Sequence, residues 1–247
     1  MALRTILETS DFVNLRTHNA YYVDKTPFIE RWLVSSHEVL LLPRPRRFGK
    51  TLYMSTLQTF LERSPIDHAP LFEGLQVWDS EIARKHFQRH PVIYLTFKGA
   101  KESSWKETFT LIRMLITEEV QRHPEVLASS AVLRRVEQGD QEPALYSTAL
   151  RTLSAALTAH YGEPTVILID EYDAPIHAAY AEGFYKEAVT FFRTFLTEGL
   201  KDNRNLFKGV LTGVLRVAGE HLLGVEQRPR QLPARRQLRD RVWLHPA

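Results

Sequence analysis

Gly49-Lys50-Thr51, reached from the apolar run Val39-Leu40-Leu41-Leu42 through Pro43-Arg44-Pro45-Arg46-Arg47-Phe48, is the stretch richest in chemistry. A strand that ends in a cation-studded turn and opens a helix at G-K-T is the recipe for a phosphate-binding loop. Amides at the helix start carry partial positive charge, the lysine ammonium reaches the β- and γ-phosphates, and the threonine hydroxyl serves Mg2+. The pattern G-x-x-x-x-G-K-[ST] is incomplete, because Arg44 stands where its first glycine belongs. Pro43 and Pro45 fix φ at about −65° on either side of it, in place of glycine's freedom. Taken alone, the stretch also fits an ordinary helix start with basic residues.

A second motif bears on that choice. Thr165-Val166-Ile167-Leu168-Ile169 runs without polar alternation, as suits a parallel strand buried on both faces, and it ends in Asp170-Glu171. Beside a phosphate loop the first carboxylate assists Mg2+, while its neighbour orients and polarises the attacking water. The competing reading is a surface acidic pair that begins a turn. Asp173 either joins the Mg2+ shell through water or caps the turn, and the cap is favoured.

The pieces YYVDKTPFIERWL, RPRRFGKTL, VILIDEYDAP and VLTGVLRVA, in this order, resemble the bacterial and archaeal AAA-ATPase-like domain family over about residues 10–224. Arg-Pro-Arg-Arg-Phe-Gly-Lys in place of a glycine-led loop is itself the family form. The resemblance implies a three-layer α/β P-loop NTPase fold with a mainly parallel sheet of the additional-strand type, and ATP and Mg2+ as cofactors. It further implies that Arg46, Arg47, Phe48, Gly49, Lys50 and Thr51 hold the nucleotide, with Tyr22, Asp24 and Lys25 covering it from the preceding segment; a capped amphipathic helix that packs on the sheet is the plain alternative for that segment. Thr51 and Asp170 would serve the metal. Glu171 would prepare water, Thr212 would help place it, and Arg216 would stabilise charge on the γ-phosphate; a solvated arginine is the plain alternative for the last. Many family members carry a PD-(D/E)XK nuclease-like domain after the ATPase.

These residues need elements to position them. Four strands are expected at about 39–43, 92–97, 165–170 and 206–212, with ligand at their carboxyl ends. In additional-strand NTPases the Thr212 strand lies between the Lys50 strand and the Asp170 strand. Helices are expected after Thr26-Pro27 with Asp24 as cap, from Lys50 to Arg63, within 98–123, from about Ala144 to His160, and from Tyr185 to Leu200. The two helices between the second and third strands read mainly as core, with a lid or partner surface as the alternative. His68, His86 and His90 lack metal-ligand spacing.

Composition is that of an ordinary globular chain, 44% hydrophobic and 25% charged, which argues against disordered and fibrous classes. No apolar run approaches a membrane span and no signal pattern opens the chain, so a soluble, cytoplasmic protein is expected. The absence of cysteine removes disulfides and thiolate metal sites.

The net charge of +3 is unevenly spread: residues 226–247 hold six arginines against Glu226 and Asp240, leaving 26 basic and 27 acidic residues elsewhere. Two units follow, an AAA-ATPase-like domain over 1–224 and an irregular basic tail over 225–247. The tail has no helical or strand period and reads as a frameshifted ending of a longer gene; a native basic tail that contacts nucleic acid or an acidic partner is the alternative. Under the first reading a fifth strand is missing, and the Val39 strand becomes a hydrophobic edge prone to aggregation or to pairing with another chain, including a second copy. At the level of function the rival to an ATPase is a noncatalytic scaffold or nucleic-acid-binding module, or an inactive fragment of a longer ATPase–nuclease-like protein.

Overall fold

The computed structural model describes residues 9–45 and 47–214. In chain order these form α1 (Phe12–Thr17), α2 (Pro27–Val34), β1 (Val39–Pro43) and α3 (Lys50–Leu61). After three short helical turns come β2 (Val92–Thr96), α4 (Trp105–Gln121), α5 (Ala131–Glu137) and α6 (Ala149–Tyr161). Then follow β3 (Thr165–Asp170), α7 (Ala174–Glu182), α8 (Tyr185–Leu196) and β4 (Leu206–Gly213). The four strands make one parallel sheet in the order β1-β4-β3-β2. β4 therefore lies between the strand that leads to Lys50 and the strand that ends at Asp170, as the additional-strand topology requires.

Helices cover both faces. Phe109, Ile112 and Ile116 of α4, Leu150, Leu153 and Leu157 of α6 and Phe191, Phe192 and Phe195 of α8 pack on one side of the sheet. On the other, Met54, Leu57, Phe60 and Leu61 of α3 join Phe12, Ile29, Trp32 and Phe72. This explains why β3, with a layer on each side, is buried along its whole length and shows no alternation. The helices between β2 and β3 belong to this core, as their apolar spacing predicts.

Among the described residues β1 and β2 are the sheet edges. β2 is closed by side chains: Glu119 on α4 accepts the Tyr94 N–H at 2.9 Å, and Arg122 donates to the Val92 carbonyl at 2.6 Å. These bonds stand where a further strand would pair. Burial raises the Glu119 carboxyl, but hydrogen bonds from His123 and Arg122 outweigh it and leave it below the usual range.

Several boundaries differ from expectation. The helix expected over 144–160 is broken at Thr148, whose hydroxyl bonds back to the Ala144 and Leu145 carbonyls and separates Pro143–Ser147 from α6. α5 lies between two of the expected helices, where no element was expected. The helix expected from Tyr185 to Leu200 is α-helical to Leu196 and ends in a π turn, Thr197–Lys201, where a Cβ on Gly199 would come within 2.7 Å of Leu150 Cδ1. Asp24 does not cap α2 directly: Thr26 is the N-cap residue, and Asp24 binds the Thr26 amide and hydroxyl at 2.8 and 2.6 Å. The tail, Arg216 and Arg46 lie outside the described residues.

Candidate functional site

The phosphate-loop stretch is built at the carboxyl end of β1. Arg44 N–H donates to the Gly213 carbonyl at 3.0 Å, carrying the pairing with β4 one residue past the strand. Arg47 and Gly49 then take φ values of 66° and 72°, turning the chain so that α3 starts at Lys50. A Cβ on Gly49 would stand 3.6 Å from Lys25 Nζ, an ordinary contact, so the left-handed backbone and not crowding demands glycine there. Arg47 adopts the same region without that freedom, at a cost of about 1 kcal/mol or more. The Lys50 ammonium reaches back across the turn, donating to the Arg44 carbonyl at 2.8 Å and to the Pro45 carbonyl at 3.4 Å.

The acid strand meets this loop from the far side of β4. Asp170 is fully buried, and each of its carboxylate oxygens accepts a hydroxyl. Thr51 donates to Oδ2 at 2.8 Å and Thr212 to Oδ1. Thr212 Oγ1 also accepts the Glu171 N–H at 3.2 Å, and the Thr212 carbonyl accepts the Tyr172 N–H at 3.1 Å. A buried carboxylate with donors on both oxygens is satisfied as such a group must be. Glu171 has φ of 50°, the left-handed region for a residue that rarely adopts it, so β4 holds the acidic turn in a strained backbone.

Thr51 Oγ1 and Asp170 Oδ2 are hard oxygen donors in contact, the type that suits Mg2+. The described residues contain no group of three or more His, Cys, Asp or Glu side chains able to hold a metal by themselves. The donor set thus fits a cation whose remaining ligands come from phosphate and water, and does not fit an all-protein cage.

The three residues expected to cover the nucleotide take different side-chain partners. Tyr22 turns inward, its ring 5.5 Å from that of Phe12; burial pushes its phenol up to about 12 despite a hydrogen bond with Thr56. Asp24 spends one oxygen on Thr26 and the other on the Gln76 N–H at 2.9 Å, tying the segment before α2 to the turn at Gln76–Asp79. Lys25 is brought to the loop, at Gly49, and burial lowers its ammonium pKa. Phe48 is exposed at the loop.

Asp173 has a partner that neither reading of its sequence position included. It is the N-cap residue of α7, yet its side chain makes no cap bond there; its Oδ2 accepts the Val214 N–H at 2.8 Å. The glycine at 213, whose Cβ would stand 2.9 Å from Asp173 Cγ, is the sequence sign of that close approach.

A parallel sheet with β4 between the G-K-T strand and the acid strand, and a buried aspartate facing the helix-start threonine, defines a P-loop NTPase-like α/β domain. Comparison with known sequences narrows this: the chain belongs to the AAA-ATPase_like family, described as "Predicted AAA-ATPase", whose model matches residues 7–223. It is 34% identical over 159 residues to "Uncharacterized protein in vnfD 5'region" of Azotobacter chroococcum mcd 1. That match covers 63% of this chain and 26% of the relative, so the chain spans about a quarter of its relative's length. No solved structure matches. Among the described residues no helix is long and apolar enough to cross a membrane.

Proposed function

We propose that this domain binds ATP together with Mg2+ and hydrolyses it. The observation that carries the reading is the double hydroxyl contact of Asp170, which joins the G-K-T helix to the acid strand at the carboxyl ends of the sheet. Lys50 and the amides at the start of α3 would hold the β- and γ-phosphates, with Lys25 and Arg47 adding charge at the loop. Thr51 and Asp170 would hold Mg2+, which when bound offsets negative charge on the transferred phosphoryl group. Glu171 would accept a hydrogen bond from the attacking water and orient it, and Thr212, through the Glu171 amide, would fix the base of that residue. Adenine is preferred over guanine in this reading because no guanine-reading motif accompanies the loop.

Binding of a fluorescent ATP analogue and release of inorganic phosphate test it. Binding by the parent, its loss in Lys50→Ala, and binding without release in Glu171→Gln are the expected results. Phosphate release by Glu171→Gln at the parental rate would remove Glu171 from the reaction, and undiminished binding by Lys50→Ala would remove the loop.

A further inference from the structure

Three consecutive residues fasten the acidic turn after β3 to the end of β4. Glu171 N–H donates to Thr212 Oγ1 at 3.2 Å, Tyr172 N–H donates to the Thr212 carbonyl at 3.1 Å, and the Asp173 carboxylate accepts the Val214 N–H at 2.8 Å. The third bond is accepted by a side chain that is 2% exposed, so it is made out of water. Asp173 makes no side-chain cap bond to α7, although it stands at that helix's N-cap position. The fit is close from the strand side as well: a Cβ on Gly213 would lie 2.9 Å from Asp173 Oδ1 and 2.9 Å from Tyr172 Cε1. His177, one turn along α7, brings its Nε2 to 3.4 Å from Asp173 Oδ2.

The same end of β4 holds the phosphate loop. Arg44 N–H donates to the Gly213 carbonyl at 3.0 Å, and the Arg44 carbonyl accepts Lys50 Nζ at 2.8 Å. Thr212-Gly213-Val214 thus stands between Lys50 and Glu171, attached to the first through Arg44 and to the second through the Asp173 turn.

We propose that Asp173 is a positioning residue for Glu171: by gripping the Val214 amide it clamps the acidic turn to β4 and keeps Glu171 in its left-handed backbone state. The positioning role rests on the reading of Glu171 as the residue that orients water, whereas the clamp is a property of the folded chain alone. Without the clamp the turn relaxes toward the commoner right-handed region, and the Glu171 amide leaves Thr212. The Lys50 side keeps its own bonds, so nucleotide affinity and hydrolysis separate.

Asp173→Ala, Asp173→Asn and Gly213→Ala in the full chain test this with two readouts. Amide hydrogen exchange without nucleotide reads the clamp: Asp173→Ala is expected to speed exchange at Glu171 and Tyr172 about tenfold, the equivalent of one lost hydrogen bond. Asp173→Asn, whose amide oxygen still accepts from Val214, recovers most of the protection. Gly213→Ala, pressing a methyl on the carboxylate from the strand side, loses it again and decides the matter if Asp173→Ala does not fold. Single-turnover phosphate release reads the consequence: about tenfold slower in Asp173→Ala, with the Kd for Mg-ATP changed by no more than about threefold. Parental exchange at Glu171 and Tyr172 in a folded variant overturns the clamp, and a parental release rate despite lost protection overturns the positioning role. If the parent binds no Mg-ATP, the nucleotide reading fails and takes the positioning role with it, while the exchange data still decide the clamp.

Discussion

Thr51 and Asp170, 119 residues apart in the chain, share a 2.8 Å hydrogen bond between the first turn of α3 and the last residue of β3. No strand pairing joins β1 directly to β3; the contact spans β4. It exists because a short parallel sheet brings every carboxyl end to one rim, where a hydroxyl and a carboxylate from distant segments meet.

That contact can be weighed by Thr51→Val, which keeps the shape and removes the donor. Asp170 retains Thr212, so the folded state should lose only about 1 kcal/mol in urea unfolding, whereas the Mg2+ requirement of ATP binding should weaken sharply. A Mg2+ titration at fixed ATP that matches the parent would take Thr51 out of the metal's reach.

Thr212→Val is a harsher change. It strands the Glu171 amide and strips Asp170 of a donor in a fully buried position, so a loss of about 2–3 kcal/mol is expected from urea midpoints. A loss near zero would mean that water replaces the hydroxyl.

Much of this was legible in the sequence, for definable reasons. The four strands were readable because Val39–Pro43 and Thr165–Asp170 are apolar runs too short for helices and end in chemistry. Their order came from the family resemblance, since no periodicity tells which parallel strands are neighbours. The inward turn of Tyr22 and the bonding of Asp24 to Gln76 were not readable: both depend on contacts with segments far along the chain. The bond of Asp173 to Val214 was not readable for the same reason, its partner being 41 residues away. α5 was missed because a helix of seven residues offers only about two turns of pattern.

At the opposite end of the sheet, the buried His90 makes stability depend on pH. Its Nδ1–H donates to the Pro164 carbonyl at 3.0 Å, which leaves Nε2 to accept from His86 Nδ1 at 2.9 Å. Burial, offset only partly by the Pro164 bond, pushes the imidazole down to about 4. Below about pH 6.5 the unfolded chain takes up a proton that the folded chain refuses, so stability is full above that pH and falls as pH drops toward 4. The slope contributed by His90 approaches about 1.4 kcal/mol per pH unit in that window. Urea midpoints at pH 7 and pH 5 should diverge less in His90→Gln than in the parent; equal divergence would assign the titration to other groups.

Closure of the β2 edge makes a separate claim. Arg122→Met leaves the Glu119 carboxylate buried without its guanidinium and frees the Val92 carbonyl, so the variant should lose about 3 kcal/mol. It should also self-associate more readily, as an edge strand without its cover does. Sedimentation velocity alongside urea unfolding checks both, and a monomer of parental stability would show the cover to be dispensable.

The central claim, that the loop and acid strand form a nucleotide site, is tested most directly by the thermal unfolding midpoint of the full chain with and without Mg-ATP. At a ligand concentration a hundred times Kd, binding adds about 2.7 kcal/mol and should raise the midpoint by roughly 5–10 °C for a domain of this size. The account predicts that rise in the parent and in Glu171→Gln, and none in Lys50→Ala. No rise in the parent, or an equal rise in Lys50→Ala, would contradict it.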